Sequence, residues 1–148
     1  MPRQQIRCAG PPEPAGASHF SQAVAIAARG VMVFVSGMTA RRPDGKIAGI
    51  GDVEEQTRQV CENIKNAIEA AGGSMDDVCR VDVYLRNIGD SERVNKVRRK
   101  FWRAPPPAST VVEVSKLASP EFLVQISAIA VIAPSAAPAA LHAIPPPV

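Results

Sequence analysis

Few side chains in this sequence are placed to do chemistry. Its two histidines, His19 and His142, lie far apart and far from any pair of cysteines. The three cysteines, Cys8, Cys61 and Cys79, are an odd number without paired spacing, which gives neither a disulfide framework nor a zinc site. No Gly-x-Ser-x-Gly elbow occurs and neither histidine is placed by any motif, so no activated serine nucleophile is indicated. What remains is a cluster in the last third. Ser109, Val111 and Glu113 share one parity of an extended run, and Glu113 is the candidate acid or base among the carboxylates of that run. Gln125, on the next run, can hold a water by hydrogen bonding but accepts no proton at neutral pH. His19 is the group that would titrate near neutrality if the N-terminal arm folded over a cleft, although a solvated loop histidine is the plainer reading.

A second constellation is basic. Arg93, Lys96, Arg98, Arg99, Lys100 and Arg103 crowd one predicted helix and its exit. A solvated charged face is the plain reading, and an acidic substrate or RNA phosphate the sharper one. No RNA-binding motif accompanies the run, and a formal net charge of +3 with a pI near 9.0 is too weak to argue for nucleic acid.

The elements that must carry these residues follow from periodicity. The chain has 148 residues, 46% hydrophobic and 21% charged, the size and balance of one globular domain. With only 4% aromatics, burial rests on Val, Ile, Ala and Leu. Residues 1 to about 18 read as a Pro- and Gly-rich arm, and residues 133–148 as a Pro/Ala tail, with the domain between them. The N-terminus lacks a secretory h-region and no apolar run is long enough to span a bilayer, so a cytoplasmic location is expected.

Val31 to Ser36 is β-rich and is expected to pair with a strand around Val24 to Ala28. Arg42-Pro43-Asp44-Gly45 supplies turn chemistry for a following hairpin. Asp52 and Glu55 form the signature of a capping box, after which Val53, Val60, Ile64, Ala67, Ile68 and Ala71 recur at helical spacing until Gly72-Gly73. Cys79, Val81, Val83 and Leu85 alternate with Arg80, Asp82 and Tyr84 along a strand. A second helix is expected from Ser91 to Trp102, ended by Pro105-Pro106-Pro107, then strands over 109–114 and 122–132. The order predicts an α+β fold, a mixed sheet with both helices on one face. On the last strand Val124, Ile126, Ala128 and Ala130 would face the helices, leaving Leu123, Gln125, Ser127, Ile129 and Val131 on a bare face that calls for self-association.

Val35-Ser36-Gly37, the Gln56-Thr57-Arg58-Gln59 and Glu62-Asn63 pattern on the first helix, Asp77-Val78 leading into Val81 to Leu85, Val94-Asn95, Pro107 followed by Thr110 to Val114, and Ile126 to Val131 together resemble the Rid (YjgF/L-PSP) family. The likeness runs over about residues 20–132. It implies a chorismate-mutase-like fold with a six-stranded sheet, a homotrimer with ligand clefts between subunits, and hydrolysis of reactive enamines and imines such as 2-aminoacrylate, without metal or organic cofactor. The family has also been described as an endoribonuclease.

Carried over residue by residue, the resemblance places Phe20, Ser36, Gly37, Asn95, Ser109, Val111 and Gln125 in the cleft. The deaminase branch has an Arg where this chain has Ser109, a Cys at Val111, a Glu at Gln125 and a Tyr at Phe20. Ser36, Gly37 and Asn95 match. The carboxylate clamp is therefore missing from its usual strand, and Arg103 is a candidate replacement because its loop should end near the cleft. The expectation is a divergent hydrolase or deaminase of a small enamine, imine or related metabolite, weak toward 2-aminoacrylate. A non-catalytic trimer binding a small ligand or regulatory partner is the alternative, and an RNase-like activity the third.

Overall fold

A computed structural model of the chain describes residues 4–6, 23–26 and 29–134. Eight principal elements follow in order: β1 (Gln4–Ile6), β2 (Ala23–Ala25), β3 (Val31–Met38), α1 (Val53–Ala70), β4 (Val78–Leu85), α2 (Ser91–Arg98), β5 (Ala108–Glu113) and β6 (Val124–Ile132). Short 3-10 turns at Met75–Asp77 and Ile88–Asp90 lead into β4 and α2.

The apolar stripe of α1 forms as its periodicity requires, with Val53, Val60, Cys61, Ile64 and Ile68 buried. Asp52 caps it, its carboxylate accepting from the N–H groups of Glu54 and Glu55 at 3.0 and 3.4 Å. The reciprocal half of the expected capping box is absent: Glu55 turns to Arg58 and Arg42, and the Asp52 N–H donates to the Gly49 carbonyl. Charge pairing on the exposed side outcompetes the return bond. Helix α2 stops at Arg98, four residues before the expected Trp102, and the chain continues through turns closed on the Asn95, Val97 and Arg98 carbonyls.

The main sheet has the order β3-β6-β4-β5, antiparallel except for the β4–β5 pair, whose parallel crossover contains α2. It has four strands among the described residues, not six. The strand expected to pair with β3 joins Gln4–Ile6 in a separate two-stranded sheet, so the N-terminal segment supplies a partner that its composition did not announce. The turn at 42–45 closes a loop with the single bridge Arg41↔Ile47, too short to add a strand to the sheet.

Register fixes the faces. Val81, Val83 and Leu85 pair with Ala128, Ile126 and Val124, and all six are buried beneath the helices. Cys79 does not share their face as the alternation suggested. It sits in an irregularity between Val78 and Arg80, where its Sγ meets the Ile129 carbonyl at 3.3 Å. On the opposite face Met32 and Phe34, 57% and 70% exposed, pair with Val131 and Ile129. Arg80 donates to the Asp82 carboxylate and to Thr110 Oγ1 on the same side. The anticipated division of β6 holds over Gln125, Ser127 and Ile129, which alternate with the buried row, but not at its ends: Val131 is 8% exposed and Leu123 packs against the core.

Candidate functional site

Most of the site residues named from sequence fall in two places. The first is on the uncovered face. Between Val35 and Met38 the β3–β6 register slips, so Ser36 and Gly37 together oppose Ser127 in a bulge. Gly37 is required there by close approach: a Cβ at that position would lie 2.0 Å from Gln125 Nε2. The Gln125 side chain thus lies over the Gly37 backbone, with the exposed Ser36 beside it. All three are among the residues that the family resemblance assigns to the cleft. Without a carboxylate, the group offers hydrogen bonds and no proton acceptor.

The second place is the outer edge of the sheet. Ser109 pairs with Val81 and therefore points to the helical side, as do Val111, opposite Val83, and Glu113, opposite Leu85. Arg98, at the end of α2, reaches this edge. Its Nη1 donates to Asn95 Oδ1 at 3.0 Å and its Nη2 to Ser109 Oγ at 2.9 Å. The guanidinium also lies 5.6 Å from the Trp102 ring centroid. Arg98 is only 3% exposed, and its Nε finds no acceptor; neither does the buried Trp102 Nε1.

Burial costs this cation something. Desolvation lowers the Arg98 pKa to about 10, with the neighbouring Cys61 acting weakly in the other direction. The side chain still remains charged at neutral pH. Cys61 is pushed up to about 12 by its own burial, against the pull of Arg98, and so stays a thiol. Both hydrogen-bond partners of the guanidinium are neutral, and no carboxylate pairs with it among the described residues. Taking an ion out of water costs on the order of several kcal/mol unless an opposite charge compensates. Arg98 is thus an uncancelled positive charge behind Ser109.

Sequence reasoning missed Arg98 by grouping it with the basic run, although the signal was present. Arg98 lies four residues after Val94 and four before Trp102, on the helix's buried stripe. Its basic neighbours are ion-paired on the surface: Arg93 with Asp52, Glu54 and Asp90, Lys96 with Glu54, and Arg99 with Glu92. That pairing supports the solvated-face reading of the helix.

Glu113 is exposed, and its Oε2 accepts from the Ile88 N–H at 2.9 Å, tying the turn before α2 to the end of β5. Val111 packs at the margin of the core. Arg103 lines a groove of about 400 Å³ with Glu62, Lys65, Glu69, Asp76 and Lys100. The guanidinium bonded to Ser109 is that of Arg98. Phe20 lies outside the described residues. Within one chain, the Gln125 group and the Ser109 group occupy opposite faces of the sheet.

Comparison with known proteins agrees with this architecture. Residues 11–132 match the family model described as Endoribonuclease L-PSP. A RutC family protein of Pyrococcus abyssi is 36% identical over 130 residues, covering 88% of this chain and 98% of the relative. Among solved structures, the Rid family protein YyfB of Yersinia pestis superposes with a TM-score of 0.77 at 29% identity, covering 89% of this chain and all of that one. RidA from the Antarctic bacterium Psychrobacter sp. PAMC 21119 gives 0.65 at 33% identity, covering 88% and 100%. With its helix-backed sheet, its bulge at Ser36-Gly37 and this span of similarity, the chain belongs to the Rid (YjgF/L-PSP, endoribonuclease L-PSP) family.

Proposed function

We propose that this protein is a divergent Rid-type hydrolase or deaminase, acting on a small enamine, imine or related metabolite in a cleft between subunits of a homotrimer. The observation that carries the reading is the separation of the two groups. Ser36, Gly37 and Gln125 lie on the uncovered face, whereas Asn95 and Ser109 lie at the β5 edge on the helical side. The described residues of a single subunit do not close a pocket from them. Three-fold packing through the apolar part of the uncovered face, where Phe34 stands exposed, would bring one subunit's edge to its neighbour's face. In that cleft Gln125 would orient a water beside the imine carbon, and the β5 edge would hold the far end of the substrate. The reaction adds water across C=N and expels ammonia, leaving a carbonyl.

One feature favours the alternative of a ligand-binding trimer without catalysis. Gln125 cannot take a proton, and the carboxylate of Glu113 is engaged with Ile88. The two readings are separated by incubating the purified protein with a panel of enzymatically generated enamines and measuring carbonyl product and ammonia. Acceleration of any member above buffer supports the hydrolase. Ligand binding without turnover supports the alternative. An RNase-like activity ranks third, because the basic residues of α2 are largely ion-paired.

A further inference from the structure

We infer that the groove between α1 and the chain leaving α2 binds a small zwitterion with an apolar body, a free amino acid or a short peptide. The site stands apart from the proposed cleft, since none of Ser36, Gly37, Asn95, Ser109 or Gln125 lines it.

The groove measures about 400 Å³, within the range of small-molecule sites. Its charges are segregated. The α1 side and the turn at Met75–Asp77 contribute Glu62, Glu69 and Asp76 against one cation, Lys65, which lies 3.9 Å from Glu69. The chain after α2 contributes two cations, Lys100 and Arg103, and no acid. No basic residue occupies the last turn of α1, so the negative end of the helix dipole adds to the acidic side. Neither Glu62 nor Lys100 forms an ion pair or a side-chain hydrogen bond among the described residues. By contrast, Lys96 and Arg99, just before Lys100, find Glu54 and Glu92. The groove thus holds an anion and a cation too far apart to satisfy each other. Buried Met75 and Phe101, which packs against the core, give it an apolar base. A polyanion would meet the acids and a polycation the bases. A molecule carrying one ammonium and one carboxylate complements both sides, and its apolar body covers Met75 and Phe101.

The experiment is a backbone-amide NMR titration of the full-length protein. Leucine and the dipeptide leucyl-leucine are titrated first, and the tighter binder distinguishes a free amino acid from a peptide. That probe is then compared with its amide, which lacks the carboxylate, and its desamino acid, which lacks the ammonium. The zwitterion should shift the amides of residues 73–77 and 100–103 saturably. Each single-charge analogue should bind about tenfold or more weakly, the scale of one charge-assisted contact. Lys100→Met should cost the zwitterion about tenfold while leaving the amide within about threefold. Glu62→Gln should cost the zwitterion as much while leaving the desamino acid within about threefold. Neither side chain is buried, so both variants should fold. No saturable shift in those segments with either probe, equal affinity for the three forms, or variants that bind like wild type overturns the inference. Shifts confined to Ser36, Gly37 and Gln125 overturn it as well, since they assign the binding to the cleft.

Discussion

The two halves of the candidate site solve opposite physical problems. On the uncovered face, apolar side chains such as Phe34, 70% exposed, meet solvent where they would be better buried. At the β5 edge, a guanidinium is buried where it would be better solvated. The first imbalance is relieved by another protein surface, because apolar area is indifferent to the identity of what covers it. The second is relieved only by an acceptor or a negative charge. One half therefore points toward assembly and the other toward a ligand.

The largest effect is expected on the assembling half. Phe34→Glu places a charge in the proposed contact and should weaken association by three or more powers of ten, about 4 kcal/mol. Light scattering should return a monomer with an unchanged far-ultraviolet spectrum. A trimer that survives this change would move the interface elsewhere.

Next is the packing within that half. Gly37→Ala puts a Cβ against Gln125 Nε2 and should displace the amide, lowering turnover roughly tenfold while costing about 1 kcal/mol of stability. In a Gln125→Ala background the same change should be almost neutral in chemical denaturation. Additive costs would show that the two residues do not touch.

The buried edge gives a pH dependence. Cys61 binds its proton up to about pH 12 in the folded state but only to about 9 when unfolded. The folded state thus holds more protons above pH 9, and stability falls as pH rises from there. Arg98 works the other way, since burial holds its folded pKa, about 10, below the ordinary guanidinium value, so its contribution to stability rises as pH climbs through 10. At pH 10 the cysteine loss exceeds the arginine gain, for a net fall of roughly 1 kcal/mol relative to pH 8. Urea midpoints across pH 8–10 should decline for wild type, and Cys61→Ala should abolish the decline.

The smallest effect belongs to the exposed face of α2. Lys96→Ala, which breaks the pairing with Glu54, should change stability by less than about 0.5 kcal/mol. A larger loss would mean that the surface network supports the position of Arg98.

These two halves were also unequally legible. Alternation along β6 divided its residues correctly from Val124 to Ala130, because a period of two survives wherever one face is buried, and failed at Leu123 and Val131, where the strand's ends are covered on both sides. The bulge at Ser36-Gly37, which sets Gly37 against Gln125, has no periodic signature of its own. Arg98 was not legible in the same way. In a run of six basic residues composition favours solvent, and only its spacing from Val94 and Trp102 marked it as inward. The pairing of Ala23–Ala25 with Gln4–Ile6 was hidden for another reason: a three-residue strand is too short to show a period.

Mixed trimers test the central claim, that one cleft is built from the two halves on neighbouring subunits. Ser109→Ala disables the edge and Gln125→Ala the uncovered face, and each variant alone should be inactive on the best substrate of the enamine panel. Co-assembly from equal amounts should leave about one quarter of the clefts with both halves intact, since each cleft in a cyclic trimer takes one half from each neighbour. Recovery of about one quarter of wild-type activity is the result the account predicts. Mixed trimers no more active than either variant alone would contradict it.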